Sequence, residues 1–450
     1  MFQRFIRIWE FLAYSLWLSP LLFAAGGAVL AVLLIQIPNE AANGILPVFW
    51  PRFDQLATVR DLLGTLLATL VTVTTFALSI TMVVLTLAAG SLGPRMIRNF
   101  MGDSKTQNAL GIFVGSILFL ITSLMLMGDA SEIAPALQVV TTAGIALFVV
   151  CVFVLILFVH HLGRSIVADE VIQRVGNNLE KTIASASNTL NDPIRAAEKA
   201  QITLPDTLDI PDQEALYANH SGYVQGIDYE KLRDVAQMQD ICVSLMVRAG
   251  QHVIKGEIIG QISTTSTDET PQTAPATCQS KIGDHILIGN YRTAMLDIEF
   301  ALRQLVELAL RALSPGVNDP FTAIAVIYRL GRALPHAMAF RYPVGIWRDG
   351  DDTIRIQALL SDFTGMLGAA FDQIRQSASA KPDVLLPMAE IIESLLKLAK
   401  TDHQRIMLRD HARMILRAAN RDIPEKSDRN TVETAINRIL RCQGNTPPSQ

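Results

Sequence analysis

A line of hydroxyl groups inside an apolar stretch is the first feature of this chain that suggests chemistry. The hydroxyl residues recur at steps of three, four or seven positions: Thr65, Thr69, Thr72, Ser79 and Thr86. At 3.6 residues per turn, these steps place all five on one face of a helix. Such a stripe has two interpretations. It forms hydrogen bonds to neighbouring helices or to its own carbonyls, or it lines a water-filled path where several copies meet on an axis.

A second candidate is a turn whose sequence, over residues 314–320, is SPGVNDP. Pro315 and Gly316 end one helix, and Asp319 is placed to cap a new helix that starts at Pro320. Turn chemistry therefore accounts for every residue of the segment. In the alternative interpretation the loop presents polar side chains to a ligand or to a neighbouring subunit. That polar group consists of Arg311, Ser314, Asn318 and Asp319.

Known linear signatures of catalysis are missing from the sequence. It contains no phosphate-binding loop ending in Lys-Ser/Thr, no GxGxxG, no nucleophile elbow and no HExxH. The cysteines, at positions 151, 242, 278 and 442, are not at metal-ligand spacing. We therefore expect no cofactor, no bound metal and no enzymatic activity. A membrane-associated enzyme with its site near Arg311, Asn318 and Asp319 is kept as a third hypothesis.

The composition of the chain changes near residue 160. Residues 1–159 carry 7 Lys/Arg and 7 Asp/Glu, whereas the remaining 291 residues carry 31 and 35. Nearly uncharged stretches run over 11–37, 62–93, 109–127 and 133–159. Each is long enough for a membrane helix, which needs roughly 20 apolar residues. This pattern excludes a wholly soluble enzyme, a disordered chain and a nucleic-acid binder with a basic surface.

The charges of the loops predict an orientation in the membrane. Eight basic residues lie on the side that holds the N-terminus, the second loop and the segment after the fourth span, against two on the other side. The positive-inside rule then places both termini in the cytoplasm of a bacterial inner membrane. Short small-residue motifs, Gly111-x-x-x-Gly115 in the third span and the cluster 24–28 in the first, predict close packing of the helices.

The residues after the spans predict a cytoplasmic α+β portion. Apolar residues recur every four positions from 164 to 187, which indicates an amphipathic helix. Short β-like runs follow between 221 and 263, and a polar loop covers 264–277. The order GYV, then RAGQHVIKGEIIG, resembles the half-repeats of biotinyl/lipoyl-type barrel-sandwich modules. Lys255 precedes Gly256 at a strand-to-turn step and not in the hairpin that such carriers modify, so we expect a packing or assembly module.

Helices dominate the rest of the chain. One helix covers about 297–309 and bears an i,i+4 ladder of alternating charge from Glu299 to Arg311. Further helices are expected at 320–330, 359–376, 384–399, 402–419 and 429–441, with a β-hairpin at 344–358. The predicted domains are a four-helix membrane domain (1–159), a stalk helix and linker (160–213), a small β module (214–290), a helical bundle (291–442) and a flexible tail (443–450).

The segment 312–323, ALSPGVNDPFTA after RQLVELALR, resembles the predicted bacterial membrane proteins grouped as domain of unknown function 2254. The resemblance is supported by residues 79–100 with the turn Gly93-Pro94-Arg95, the His160-His161 junction, residues 222–260, and the pair Arg292 and Asp297. It implies a membrane architecture and assigns no activity.

The sequence therefore predicts an integral inner-membrane protein with four transmembrane helices and a cytoplasmic α+β domain. We expect it to contact the bilayer, to self-associate and to couple membrane and cytoplasm as a structural, sensory or interaction protein. An oligomeric channel lined by the hydroxyl stripe is the alternative, and the identity of any small-molecule or ion ligand stays open.

Overall fold

The computed structural model describes residues 18–38, 40–42, 53–92, 103–128, 135–165, 167–190, 213–264, 275–293, 297–339 and 345–441. The chain divides into two compact units, residues 1–170 and 171–450. Several expectations lie outside the described residues. They are the turn at 93–95, the tail at 443–450, nearly all of the linker at 191–213 and most of the polar loop at 264–277.

Four long helices make up most of the described part of the first unit: α1 Leu18–Ile35, α2 Leu56–Leu92, α3 Ser104–Leu126 and α4 Pro135–Ser165. All four are long and apolar enough to cross a membrane, as predicted. The second helix begins six residues before the predicted span, because it includes the charged residue Arg60. The Arg60 guanidinium donates hydrogen bonds to the carbonyls of Met127 (2.7 Å) and Gly128 (2.9 Å), just beyond the end of α3. These carbonyls provide hydrogen-bond acceptors for the Arg60 guanidinium near the N-terminal end of α2.

Helix α2 packs with a period of seven residues. Leu63, Leu70 and Ala77 are fully buried along one line. A second buried line, displaced by four residues, contains Thr74 and Thr81. A seven-residue repeat keeps one seam of a helix against its neighbours, so the packed face of α2 is defined over most of its length.

Small residues bring α1 and α3 close together. Gly27 lies so near Gly115 that a Cβ atom on Gly27 would overlap the Gly115 carbonyl. A Cβ on Gly115 would lie 2.6 Å from the carbonyl oxygen of Phe23, and one on Gly111 would lie 2.6 Å from the Phe23 ring. The close packing predicted from the glycine spacing is confirmed, and both helices supply part of it.

The second unit contains two small sheets. Its strands are β1 Gln213–Tyr217, β2 Gly222–Ile227, β3 Ile241–Leu245, β4 His252–Val253, β5 Ile258–Thr264, β6 Ile286–Gly289, β7 Ile346–Arg348 and β8 Ile354–Ala358. One sheet has the order β1-β5-β3-β8-β7 and the other β4-β2-β6. Lys255 is exposed in the turn between β4 and β5, which belong to different sheets.

The hairpin near residue 350 belongs to the larger sheet. Strand β8 pairs in parallel with β3, with Val243 opposite Ile356. Trp347 on β7 stacks on Tyr229 with ring centroids 4.2 Å apart. The sequence predicts this hairpin within the helical region at 291–442, but its pairing extends the sheet formed by residues 213–264. A parallel contact between distant strands leaves no local mark in the sequence.

The remaining helices are α5 Ala168–Leu190, α6 Tyr229–Met238, α7 Pro275–Gly283, α8 Ile298–Ala312, α9 Pro320–Ala339, α10 Phe363–Ser377, α11 Pro382–Leu398, α12 Asp402–Asp422 and α13 Lys426–Arg441. The predicted helix at 164–187 corresponds to α5, which is separate from α4. Its apolar stripe, which includes Val175, Leu179 and Ile183, is buried.

Candidate functional site

The turn between α8 and α9 is held by hydrogen bonds among its own polar groups. Ser314 Oγ donates to the carbonyl of Arg311 (2.6 Å), and the Ser314 carbonyl accepts from the amides of Val317 and Asn318. Asn318 has a φ of +47°, a left-handed conformation that asparagine tolerates better than most residues. These bonds reverse the chain after α8.

Asp319 caps α9 as the sequence predicts. Its Oδ1 accepts from the backbone amide of Thr322 (3.1 Å) and its Oδ2 from the Thr322 hydroxyl (2.5 Å). These hydrogen bonds hold the pKa of the Asp319 carboxyl below its usual value. A carboxylate with donors on both oxygens is suited to capping and not to proton transfer.

The side chains of the predicted polar group contact several parts of the fold. Lys381, at the N-cap of α11, donates to Asn318 Oδ1 at 2.5 Å, so the Asn318 side chain joins two helical elements. Arg311 lies 4.0 Å from Glu307. Each side chain of the predicted group therefore has a contact within the fold.

A buried arginine, which the sequence analysis missed, holds α5 in the second unit. Arg329 on α9 is only 3% exposed. It donates to Glu180 Oε1 at 2.6 Å and to Asn177 Oδ1 at 2.9 Å. Gly176 leaves room for the guanidinium, since a Cβ there would overlap it. We call Arg329, Glu180 and Asn177 the α5 clamp. The sequence places Gly176, Asn177 and Glu180 close together on one helix, which could have suggested a polar contact there. It could not identify the partner, because Arg329 lies 149 positions from Glu180.

A second missed cluster surrounds the first turn of α8. Glu299 accepts from Arg248 Nη1 (2.6 Å) and from the Ser361 hydroxyl (2.5 Å). Two residues earlier, Asp297 accepts from Arg292 (2.6 Å) and caps α8. Both buried carboxylates are therefore paired with arginines. The cluster therefore binds loops of the sheets to α8.

The pKa values of these two carboxyls move in opposite directions. Burial raises the pKa of Asp297, and its arginine does not fully compensate. Burial also opposes ionisation of Glu299, but the hydrogen bonds from Arg248 and Ser361 outweigh it, so its pKa is lowered. Glu299 is thus the more firmly ionised partner in the cluster.

The hydroxyl stripe of α2 lies on the helix face opposite the packed one. Its members are all exposed in the single chain: Thr65, Thr69, Thr72, Ser79 and Thr86. Each hydroxyl donates to the carbonyl four residues earlier, at 2.8–3.0 Å. The back-bonded form satisfies the donors, which lets the stripe face lipid or another copy at little cost.

Among the described residues, no group of three or more His, Cys, Asp or Glu is arranged to hold a metal ion. The polar clusters described above bind parts of the fold to each other. Their chemistry is ion pairing and helix capping.

Comparison with known proteins agrees with this architecture. A family model described as "Predicted membrane protein (DUF2254)" matches residues 13–394. Uncharacterized proteins of Mycobacterium bovis and Mycobacterium tuberculosis are each 28% identical to this chain over 436 residues, which is 96% of this chain and 81% of theirs. No solved structure matches. With four apolar helices, these relationships place the chain in a membrane as a multi-pass protein.

Proposed function

The chain belongs to the DUF2254 family of predicted membrane proteins, and on that premise we propose that it couples the bilayer to a soluble interaction domain. In this proposal it is a self-associating protein of the bacterial inner membrane with both termini in the cytoplasm. It relays changes in the membrane and carries out no reaction of its own. The α5 clamp is the observation that carries the proposal.

The link from the membrane to the second unit is short. Helix α4 ends at Ser165 and α5 begins at Ala168. An ion pair between Arg164 and Glu170 bridges the joint between these helices. Only two residues separate the helices along the chain, so we expect a displacement of the end of α4 to be transmitted to the start of α5.

The clamp then joins α5 to α9. Glu180 and Asn177 lie on α5, and the buried Arg329 lies on α9. Removing one member of a buried charge pair leaves an uncompensated charge, which costs about 3–5 kcal/mol. Movement of α5 is therefore expected to carry α9 with it.

The test uses the full chain in nanodiscs made from lipids with short or long acyl chains. Bilayer thickness changes helix tilt, and hydrogen exchange over residues 320–339 reports the response of α9. We expect exchange in the native chain to change with thickness, and the change to fall by more than half in Glu180→Gln.

The matched control is Glu393→Gln, which alters a pair with Arg438 at a similar distance of 2.6 Å but outside the clamp. This control should keep the native response. The relay is contradicted if hydrogen exchange of α9 in the native chain does not depend on bilayer thickness. It is also contradicted if Glu180→Gln responds to thickness as strongly as the native chain.

A channel is the second candidate, and the exposure of the α2 stripe favours it. Several copies that turn the stripe toward one axis would form a hydroxyl-lined path from Thr65, Thr69, Thr72, Ser79 and Thr86. Cysteine at Thr69, Thr72 or Ser79 should then react with a water-soluble thiol reagent. Cysteine at Thr74 or Thr81, on the buried face, is the control and should not react. Absence of labelling at all three stripe positions would exclude the path.

A further inference from the structure

The exposed side of α4 changes from apolar to basic near the C-terminal end of the helix. Val149, Phe153 and Ile156 are exposed along one side. His160 and Arg164 follow on the same side, and both are exposed. At 3.6 residues per turn, the five positions lie within about 80° of each other around the helix. The two basic residues therefore continue the exposed apolar stripe of α4.

This stripe reaches the level of the lipid headgroups at His160. Residues 135–159 contain no charged side chain, and at 1.5 Å per residue they extend over about 37 Å. The hydrocarbon core of a bilayer is about 30 Å thick. An apolar run of this length fills the core, so we expect His160 and Arg164 to lie among the headgroups and their phosphates.

The two basic side chains are spaced to hold one phosphate group. Residues four positions apart on a helix are neighbours, with Cβ atoms about 5–6 Å apart. A guanidinium donates two parallel hydrogen bonds to a phosphate, and an imidazole donates at least one in either protonation state. His160 and Arg164 together therefore offer donors from two successive turns to a phosphodiester.

The partner of Arg164 within the chain is an exposed carboxylate. Arg164 pairs with Glu170 across the joint between α4 and α5, and the two side chains are 63% and 40% exposed. Ion pairs between exposed side chains contribute little to stability. A negatively charged headgroup beside Arg164 therefore competes with Glu170 for the same guanidinium.

We propose that His160 and Arg164 bind the phosphate of an anionic phospholipid, and that the bound headgroup releases Glu170 from Arg164. Lipid charge then acts on the joint between α4 and α5, where the proposed relay begins. The regulatory part of this inference rests on that relay, whereas the lipid site itself does not depend on it.

The test counts the lipids that the full chain retains. The chain is reconstituted in nanodiscs with equal amounts of phosphatidylglycerol and phosphatidylcholine, which have the same acyl chains, and is then released for native mass spectrometry. We expect the native chain to retain more phosphatidylglycerol. This preference should fall about fivefold in Arg164→Gln, as expected for one basic group near an anionic surface, and less in His160→Ala.

Arg413→Gln is the matched control. Arg413 pairs with Asp410 on α12, and these side chains are 53% and 44% exposed, so the variant removes the same charge from a similar pair. Its lipid preference should equal that of the native chain. An unchanged preference in Arg164→Gln, or an equal fall in Arg413→Gln, would overturn the site. Displacement of the lipid by added inorganic phosphate would overturn the assignment to a lipid headgroup.

Glu170→Gln tests the competition separately from the binding. Without the competing carboxylate, the preference for phosphatidylglycerol should rise, whereas Asp410→Asn should leave it unchanged. A preference that does not rise in Glu170→Gln would refute the release of Glu170.

Hydrogen exchange at the start of α5, over residues 168–175, measures the effect on the joint. In the native chain it should be faster in phosphatidylglycerol nanodiscs than in phosphatidylcholine nanodiscs, and in Glu170→Gln it should be the same in both. Equal exchange in the two lipids for the native chain would overturn the regulatory part. A native chain that keeps the lipid preference, but whose α9 exchange does not depend on bilayer thickness, would contradict the proposed relay and leave the lipid site intact.

Discussion

Arg329 Nη1 donates a hydrogen bond to Glu180 Oε1 at 2.6 Å, across 149 positions of the sequence. The two side chains differ in their access to water, since Arg329 is 2% exposed and Glu180 is 23% exposed. The contact therefore pairs a guanidinium that water hardly reaches with a carboxylate that is partly open to solvent.

The two partners of the clamp should respond unequally to substitution. Glu180→Ala leaves the buried guanidinium with Asn177 alone and should lower the free energy of α5 opening by about 3 kcal/mol. Arg329→Met leaves a carboxylate that water and Arg332 can still reach, so its effect should be smaller. Hydrogen exchange of α5 amides measures both. A larger loss for Arg329→Met would refute this account.

Acid should weaken the docking of α5. The hydrogen bond from Arg329 lowers the pKa of Glu180 in the folded chain, so the folded state binds its proton more weakly than the unfolded state. The resulting stabilisation is present above the unfolded value, about 4.3, and is lost as the pH falls through the folded value.

Exchange of α5 amides should be protected equally at pH 7 and pH 5.5 after correction for intrinsic rates, with protection lost below about pH 4. The acid-dependent loss should be reduced in Glu180→Gln, which has no carboxyl to titrate. A loss of the same size in the variant would show that other groups cause it.

The contact between α1 and α3 should not tolerate a methyl group. Gly27→Ala places its Cβ against the backbone of Gly115 and should cost about 1–3 kcal/mol through overpacking. Gly26→Ala is the control, because nothing lies within 4 Å of a Cβ there. Thermal unfolding in detergent should show a lower midpoint for Gly27→Ala only. Matching midpoints for the two variants would be inconsistent with this packing.

The turn should be sensitive at Asn318 for two separable reasons. Asn318→Ala loses the bond from Lys381 and places alanine at a φ of +47°, which costs roughly 1–2 kcal/mol. Asn318→Gly also loses the bond from Lys381 but has no strain at this φ, so it should be less destabilised than Asn318→Ala. Lys381→Met removes the bond alone. Denaturant unfolding of the three variants should rank alanine as the most destabilised, and a glycine variant as unstable as alanine would exclude strain.

Local sequence signals predicted the elements of this protein well. The four apolar helices, the cap at Asp319 and the start of α9 at Pro320 all follow from composition and capping chemistry. These features depend on neighbours within a few residues, or on the length of an apolar run. The small-residue motifs predicted close packing of the first and third helices, but not which glycines meet.

Tertiary structure decided which of these elements meet. Periodicity showed that α2 has a hydroxyl face, but only packing showed that the opposite face is the buried one. It also joined β8 to β3 and placed Arg329 between Glu180 and Asn177. Such contacts connect residues more than a hundred positions apart, and their selection depends on the shape and burial of both surfaces at once. A local pattern describes only one of the two.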